Sequence, residues 1–163
     1  MAMLRSAETL RNSGLLPITS YTGATILESA DARYGYFAKR LRDYVILMLL
    51  YTTGIRVSEL INIWVRDISL HEPCTLLVHG KGQKSRYVPL LKDSIPILQK
   101  YLKQMNYLKP EKMDEWLFIN HMKKQFTRQG INYLISKYGN KARMNSPDLI
   151  PSDLSPHKLR HTT

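Results

Sequence analysis

The stretch YFAKRLRDYVILMLLYTTG, residues 36–54, constrains the fold more than any other part of the chain. Phe37, Leu41, Tyr44, Val45, Met48 and Leu49 recur at spacings of three and four, which predicts a helix with one apolar face. Gly54 stands where that helix would stop. Such a face needs partners, and 163 residues are enough for one domain with a real core around it. The run VILMLL at 45–50 is the longest apolar stretch, far too short to span a bilayer.

Around this helix the pattern alternates between helices and one hairpin. IRVSELINIWV predicts a second helix beginning near Arg56, with Val57, Leu60, Ile61 and Trp64 at helical spacing. Residues 67–73 read as a loop. TLLVH and RYVPL flank GKGQKS and read as two strands of a hairpin with Gly80 and Gly82 at its tip. SIPILQKYLKQM reads as a helix with Pro96 in its first turn. EWLFI is a short extended or helical run. FTRQGINYLISKYG predicts an amphipathic helix capped by Thr127 and ended by Gly139, with Tyr133 and Tyr138 as packing residues. Residues 141–156 read as a loop, and a helix begins at Pro156 behind Ser155. Residues 1–35 form a lead-in segment, with a short helix over 24–32. The expected fold is mainly α with a small antiparallel β-sheet.

Charge points to the partner. Twenty-four Lys and Arg against thirteen Asp and Glu give a net charge of +11. A compact domain this basic is relieved by a polyanion, so nucleic acid is the first partner to consider and a membrane is not expected. The single cysteine, Cys74, excludes an internal disulfide framework and a cysteine-based zinc site. With no apolar signal-type segment at the start, a cytoplasmic location is expected.

Three motifs carry the chemistry. HGKGQKSRYVP at 79–89 is no P-loop: the glycine required before Lys84-Ser85 is missing, and a strand follows where a helix should. It is either a plain basic turn or a loop whose Lys81 reaches a phosphate. In TGIRVSEL, Arg56 sits where a helix begins, and a guanidinium there is suited to two phosphate oxygens, with Glu59 one turn on to hold it. In SPHKLRHTT, His157 and Arg160 share a helical face, joining a proton carrier to a phosphate clamp. His157 and His161 are spaced as a metal pair, but the glutamate of HExxH is absent and no third ligand is evident, so no metal is expected.

In this order and spacing the motifs resemble those of the tyrosine recombinases, the phage integrase family, from about residue 36 to 163. The resemblance implies a partial recombinase catalytic domain over 36–163. It implies that Arg56 and Arg160 bind the non-bridging oxygens of a scissile DNA phosphate and that His157 assists proton transfer. Lys81 would protonate the departing 5′ oxygen, and Glu59 would support Arg56. The family cleaves double-stranded DNA through a 3′-phosphotyrosine and works as a tetramer of like protomers on paired sites, in DNA integration and recombination. Lys84, Arg86, Lys123, Lys124, Arg128, Lys141 and Arg143 are expected backbone contacts. The family's nucleophilic tyrosine lies beyond the His-x-x-Arg motif, whereas no tyrosine follows Tyr138 here. The 163 residues are therefore expected to hold no nucleophile and not to cleave. The competing readings are a non-catalytic DNA-binding or inhibitory remnant and, more distantly, a type IB topoisomerase fragment.

Overall fold

The computed structural model describes residues 38–145, 147–150, 152 and 154–156. The lead-in segment and its expected helix lie outside them, as do His157, Arg160 and His161. Helix α1, Ala38–Thr53, is the axis of the fold. Every residue from 41 to 50 is buried, so the helix has no solvent face over that stretch, against the single apolar face expected from the sequence. The difference lies in Arg42 and Asp43, which neutralise each other instead of facing water. Arg42 Nη2 donates to Asp43 Oδ1 at 2.7 Å and Nη1 to the Ile119 carbonyl at 3.0 Å. The Tyr138 hydroxyl donates to Asp43 Oδ2 at 3.0 Å. The buried Arg42–Asp43 pair thereby ties α1 to two distant segments, the arginine to Ile119 and the carboxylate to Tyr138, as charges in a low-dielectric interior require. Gly54 ends the helix at φ +64°, a left-handed turn that glycine adopts without strain.

Helix α2 spans only Val57–Leu60, shorter than the sequence pattern predicts. Pairing with a distant segment overrides the helical spacing beyond Ile61. Ile63 accepts a hydrogen bond from Leu117 N–H at 2.8 Å, and Val65 N–H donates to the Glu115 carbonyl at 2.9 Å. Trp64 stacks on Trp116 with ring centroids 3.8 Å apart. EWLFI is thus neither helix nor regular strand: it bends, with isolated bridges from Trp116 to Trp64 and from Ile119 to Gln125.

Strand β1, Ile68–Ser69, lies in the segment read as a loop; it is too short to leave a periodic signal. Strands β2, Thr75–His79, and β3, Ser85–Pro89, form the expected hairpin, and the sheet is antiparallel in the order β1-β2-β3. Leu76 and Val78 face the core. Helix α3, Ile95–Gln104, buries Ile97, Leu98, Tyr101 and Leu102 beside α1, and the Tyr101 hydroxyl donates to the Leu117 carbonyl at 2.7 Å. The architecture is mainly α-helical with a small three-stranded antiparallel sheet.

Helix α4 runs Arg128–Asn145. Thr127 caps it as expected, its Oγ1 accepting from Gly130 N–H at 3.0 Å. Gly139 does not end it. A Cβ there would stand 2.6 Å from Leu154 Cδ2, so this glycine makes room for the returning chain, and residues 141–145 are helical where a loop was expected. Tyr138 packs inside, but Tyr133 is 67% exposed and is no packing residue. Its position falls on the outer face of α4, four residues before Lys137. Among the described residues no helix is long and apolar enough to cross a membrane.

Candidate functional site

The turn after α1 places Arg56 at the mouth of a cleft of about 700 Å³, lined also by Ile55, Val57, Ser58, Arg128, Asn132, Ser155 and Pro156. Arg56 is the residue before α2, with extended backbone, and its side chain is 59% exposed. Arg128 is the first residue of α4 and is exposed. Ser155 and Pro156 immediately precede His157, so the approach to the third motif and the first motif share one cleft. Two guanidiniums and the donors of Ser58, Asn132 and Ser155 on one open concavity suit an anion with several oxygens.

Glu59 organises the walls of this site. Its side chain is 3% exposed, and Oε2 accepts from the backbone N–H of Arg56 at 2.8 Å, half of a capping box. The strongest partner is Arg86 rather than the Arg56 guanidinium. Arg86 donates from Nη1 to Oε1 at 2.8 Å and from Nη2 to Oε2 at 3.1 Å, whereas Arg56 Nη1 reaches Oε1 only at 3.4 Å. Arg86, one of the expected DNA contacts, joins strand β3 to the Arg56 turn. Burial pushes the Glu59 carboxyl up, but the Arg86 hydrogen bonds, the Arg56 N–H and the charges of both guanidiniums outweigh it and hold the carboxyl below its ordinary value. The Arg56 guanidinium, held by this long contact through Nη1 and largely exposed, stays available to the cleft that it lines.

The hairpin tip stands on this pair. A Cβ on Gly80 would lie 3.1 Å from the Lys84 carbonyl oxygen, crowding the neck of the tip, and would only touch the ion pair, at 3.7 Å from Glu59 Oε1. Gly80 N–H donates to the Lys84 carbonyl at 2.7 Å, and the tip turns through Gly82 at φ +72° and Gln83 at φ +60°. Lys81 and Lys84 are exposed on it. Sequence reasoning missed His79, which bridges Ser85 and the buried Asp67; its position beside a glycine turn gave no distinguishing signal.

The remaining expected contacts are dispersed. Lys123 and Lys124 sit on a tight turn whose Asn120 Oδ1 accepts from Met122 N–H at 2.9 Å and Lys124 N–H at 3.0 Å. Lys141 is exposed on α4, while Arg143 turns inward, donating to Asn140 Oδ1 at 2.9 Å and to the Ile150 carbonyl at 3.4 Å. Among the described residues no group of three or more His, Cys, Asp or Glu side chains is placed to hold a metal ion.

The family model for the phage integrase family matches residues 24–163. The chain belongs to that family. Among the curated relatives, tyrosine recombinase XerC of Staphylococcus carnosus is 38% identical over 129 residues, covering 76% of this chain and 39% of that protein. XerC of Bacillus subtilis is 36% identical over 125 residues, covering 75% and 39%. The chain thus spans about two fifths of the length of these recombinases. Of the solved structures, XerA recombinase superposes with a TM-score of 0.67 at 27% identity, covering 86% of this chain and 46% of that one. XerH site-specific recombinase bound to its difH substrate gives a TM-score of 0.68 at 27% identity, covering 86% and 39%.

Proposed function

We propose that this phage integrase family chain is the catalytic-domain portion of a site-specific DNA recombinase, binding double-stranded DNA across the Arg56 cleft. The observation that carries the reading is the cleft itself, which joins Arg56 and Arg128 to the residues leading into His157, with the Lys81 hairpin moored beside it through Arg86 and Glu59. Arg56, with Arg160, holds the non-bridging oxygens of one phosphate. Lys81 gives its proton to the departing 5′ oxygen, and His157 assists proton transfer. Arg128 steadies the neighbouring backbone. In the complete enzyme a tyrosine attacks the phosphorus and keeps the bond energy in a 3′-phosphotyrosine, on paired sites held by like protomers. The XerH complex with difH DNA supports DNA as the partner.

The 163 residues contain no tyrosine after Tyr138, and Tyr138 is buried against Asp43. By themselves they bind duplex DNA without cutting it. The test measures duplex binding against salt and looks for a covalent adduct on nicked DNA. Binding with a steep salt dependence is expected, with Arg56→Ala lowering the slope by about one. Salt-insensitive binding, or none, overturns the DNA reading; a protease-sensitive adduct overturns the claim that the 163 residues do not cleave.

A further inference from the structure

We infer that His79 is a positioning residue for Lys81: it clamps the base of the hairpin so that the lysine at its tip has a fixed place. This rests on the DNA reading above and adds a residue to it. His79 and Ser85 are the last paired residues before the tip, directly opposite each other in the β2–β3 register. His79 Nδ1 lies 3.0 Å from Ser85 Oγ, and Nε2 lies 3.1 Å from Asp67 Oδ1. Asp67 accepts through its other oxygen from Trp64 N–H at 2.9 Å, and its side chain is 3% exposed. One imidazole therefore links β2, β3 and the segment entering β1.

The donor order follows from the acceptor. An ionised Asp67 takes only hydrogens, so Nε2 carries one and Nδ1 of a neutral ring accepts from the Ser85 hydroxyl. A hydroxyl also accepts, so Ser85 serves the ring when both nitrogens donate. Five residues, 80–84, make the tip: Lys81–Gln83 form a short 3-10 turn, Gly82 and Gln83 stand at positive φ, and the Gly80–Lys84 bond closes it, so the strands carry the tip as one small piece. Its placement depends on what holds its base. Arg86–Glu59 does so on one side and His79–Asp67 on the other.

The experiment uses the 163-residue chain and reads the tip in two ways. Backbone ¹⁵N relaxation of residues 80–84 is compared in wild type, His79→Ala, Ser85→Ala and His79→Gln; the glutamine can still donate to Asp67. We expect tip order parameters to fall from about 0.85 to below about 0.6 in His79→Ala, with partial recovery in His79→Gln. Duplex binding is then measured against salt in wild type, Lys81→Ala, His79→Ala and the double variant. His79→Ala should lower the salt slope as Lys81→Ala does, by about one, and add nothing in the Lys81→Ala background. A tip equally ordered without His79, or losses that add in the double variant, overturns the inference. If Lys81→Ala leaves the slope unchanged, the DNA role of the hairpin fails, and relaxation alone decides whether His79 holds the tip.

Discussion

Glu59 provides the sharpest test of how the site is held together. In Glu59→Ala the chain loses two charge-assisted hydrogen bonds from Arg86 and the acceptor for Arg56 N–H. Bonds of this kind contribute about 1.5–3 kcal/mol each where both partners are dry. Here the side chains of Arg86 and Arg56 are 47% and 59% exposed, so both rehydrate when the carboxylate goes, and most of that gain is offset. The lost cap adds about 1 kcal/mol. The expected destabilisation is about 2–3 kcal/mol, read by urea unfolding with the Trp64–Trp116 stack as the fluorescent reporter. Arg86→Met should cost a similar amount, because it leaves a buried carboxylate short of partners. The double variant should cost less than the sum, with a coupling of about 1 kcal/mol or more.

Acid gives an independent check. Glu59 is held below its ordinary value in the fold, so the unfolded chain binds its proton first as pH falls. The advantage of wild type over Glu59→Gln is therefore complete above about pH 4.3, the unfolded carboxyl value. It shrinks as pH falls through the lowered folded value. Additive single variants, together with a gap that is the same at neutral and strongly acid pH, would refute an ion pair as the mooring between β3 and the Arg56 turn.

Three further outcomes follow from buried contacts. Asp43→Asn leaves the buried Arg42 charge unpaired and should cost about 3 kcal/mol in urea unfolding, with more than half recovered by Arg42→Met in the same chain. Gly139→Ala should gain less than the roughly 1 kcal/mol of helix propensity, because Leu154 Cδ2 at 2.6 Å must give way, and should show the full gain in a Leu154→Ala background, read by urea unfolding. Burial, with the charge of Glu115 added, pushes the Tyr107 hydroxyl up to about 12, and Tyr101 lies higher still. Both groups release protons more readily when unfolded, so stability present below about pH 10 should decline as pH rises towards 12, and ultraviolet titration should show exposed tyrosines such as Tyr133 ionising in the folded chain and a further step only with unfolding.

The sequence carried the central helix, its glycine stop, the hairpin and the cap at Thr127, because each rests on residues within a few positions of one another. It did not carry the early end of α2. Residues Val57, Leu60, Ile61 and Trp64 have helical spacing, but Trp64 finds Trp116 fifty-two positions away, and no local pattern announces that. The same holds for Glu59. Its nearness to Arg56 in sequence pointed to that arginine, whereas the better-aligned partner is Arg86, twenty-seven positions on. Gly139 reads as a stop by composition; only the position of Leu154 makes it a packing residue. Long-range pairs decide what local spacing leaves open.

Those pairs also explain how so basic a chain keeps its cations available. Asp43, Glu59 and Asp67 are buried, and each sits at a junction: α1 with α4, the Arg56 turn with β3, and the entry to β1 with β2. Each is answered there by a specific partner. A carboxylate used inside cannot wander over the surface and quench a lysine or arginine, so Lys81, Lys84, Arg128 and Lys141 remain exposed. The acids fix the geometry and the bases set the outward field. Replacing Lys81 or Arg128 by a neutral residue should therefore change the salt dependence of DNA binding while leaving the unfolding midpoint nearly still, whereas replacing Glu59 or Asp67 should move the midpoint first. Equal effects of both classes on stability would show that the surface cations are structural, and the division of labour would fall.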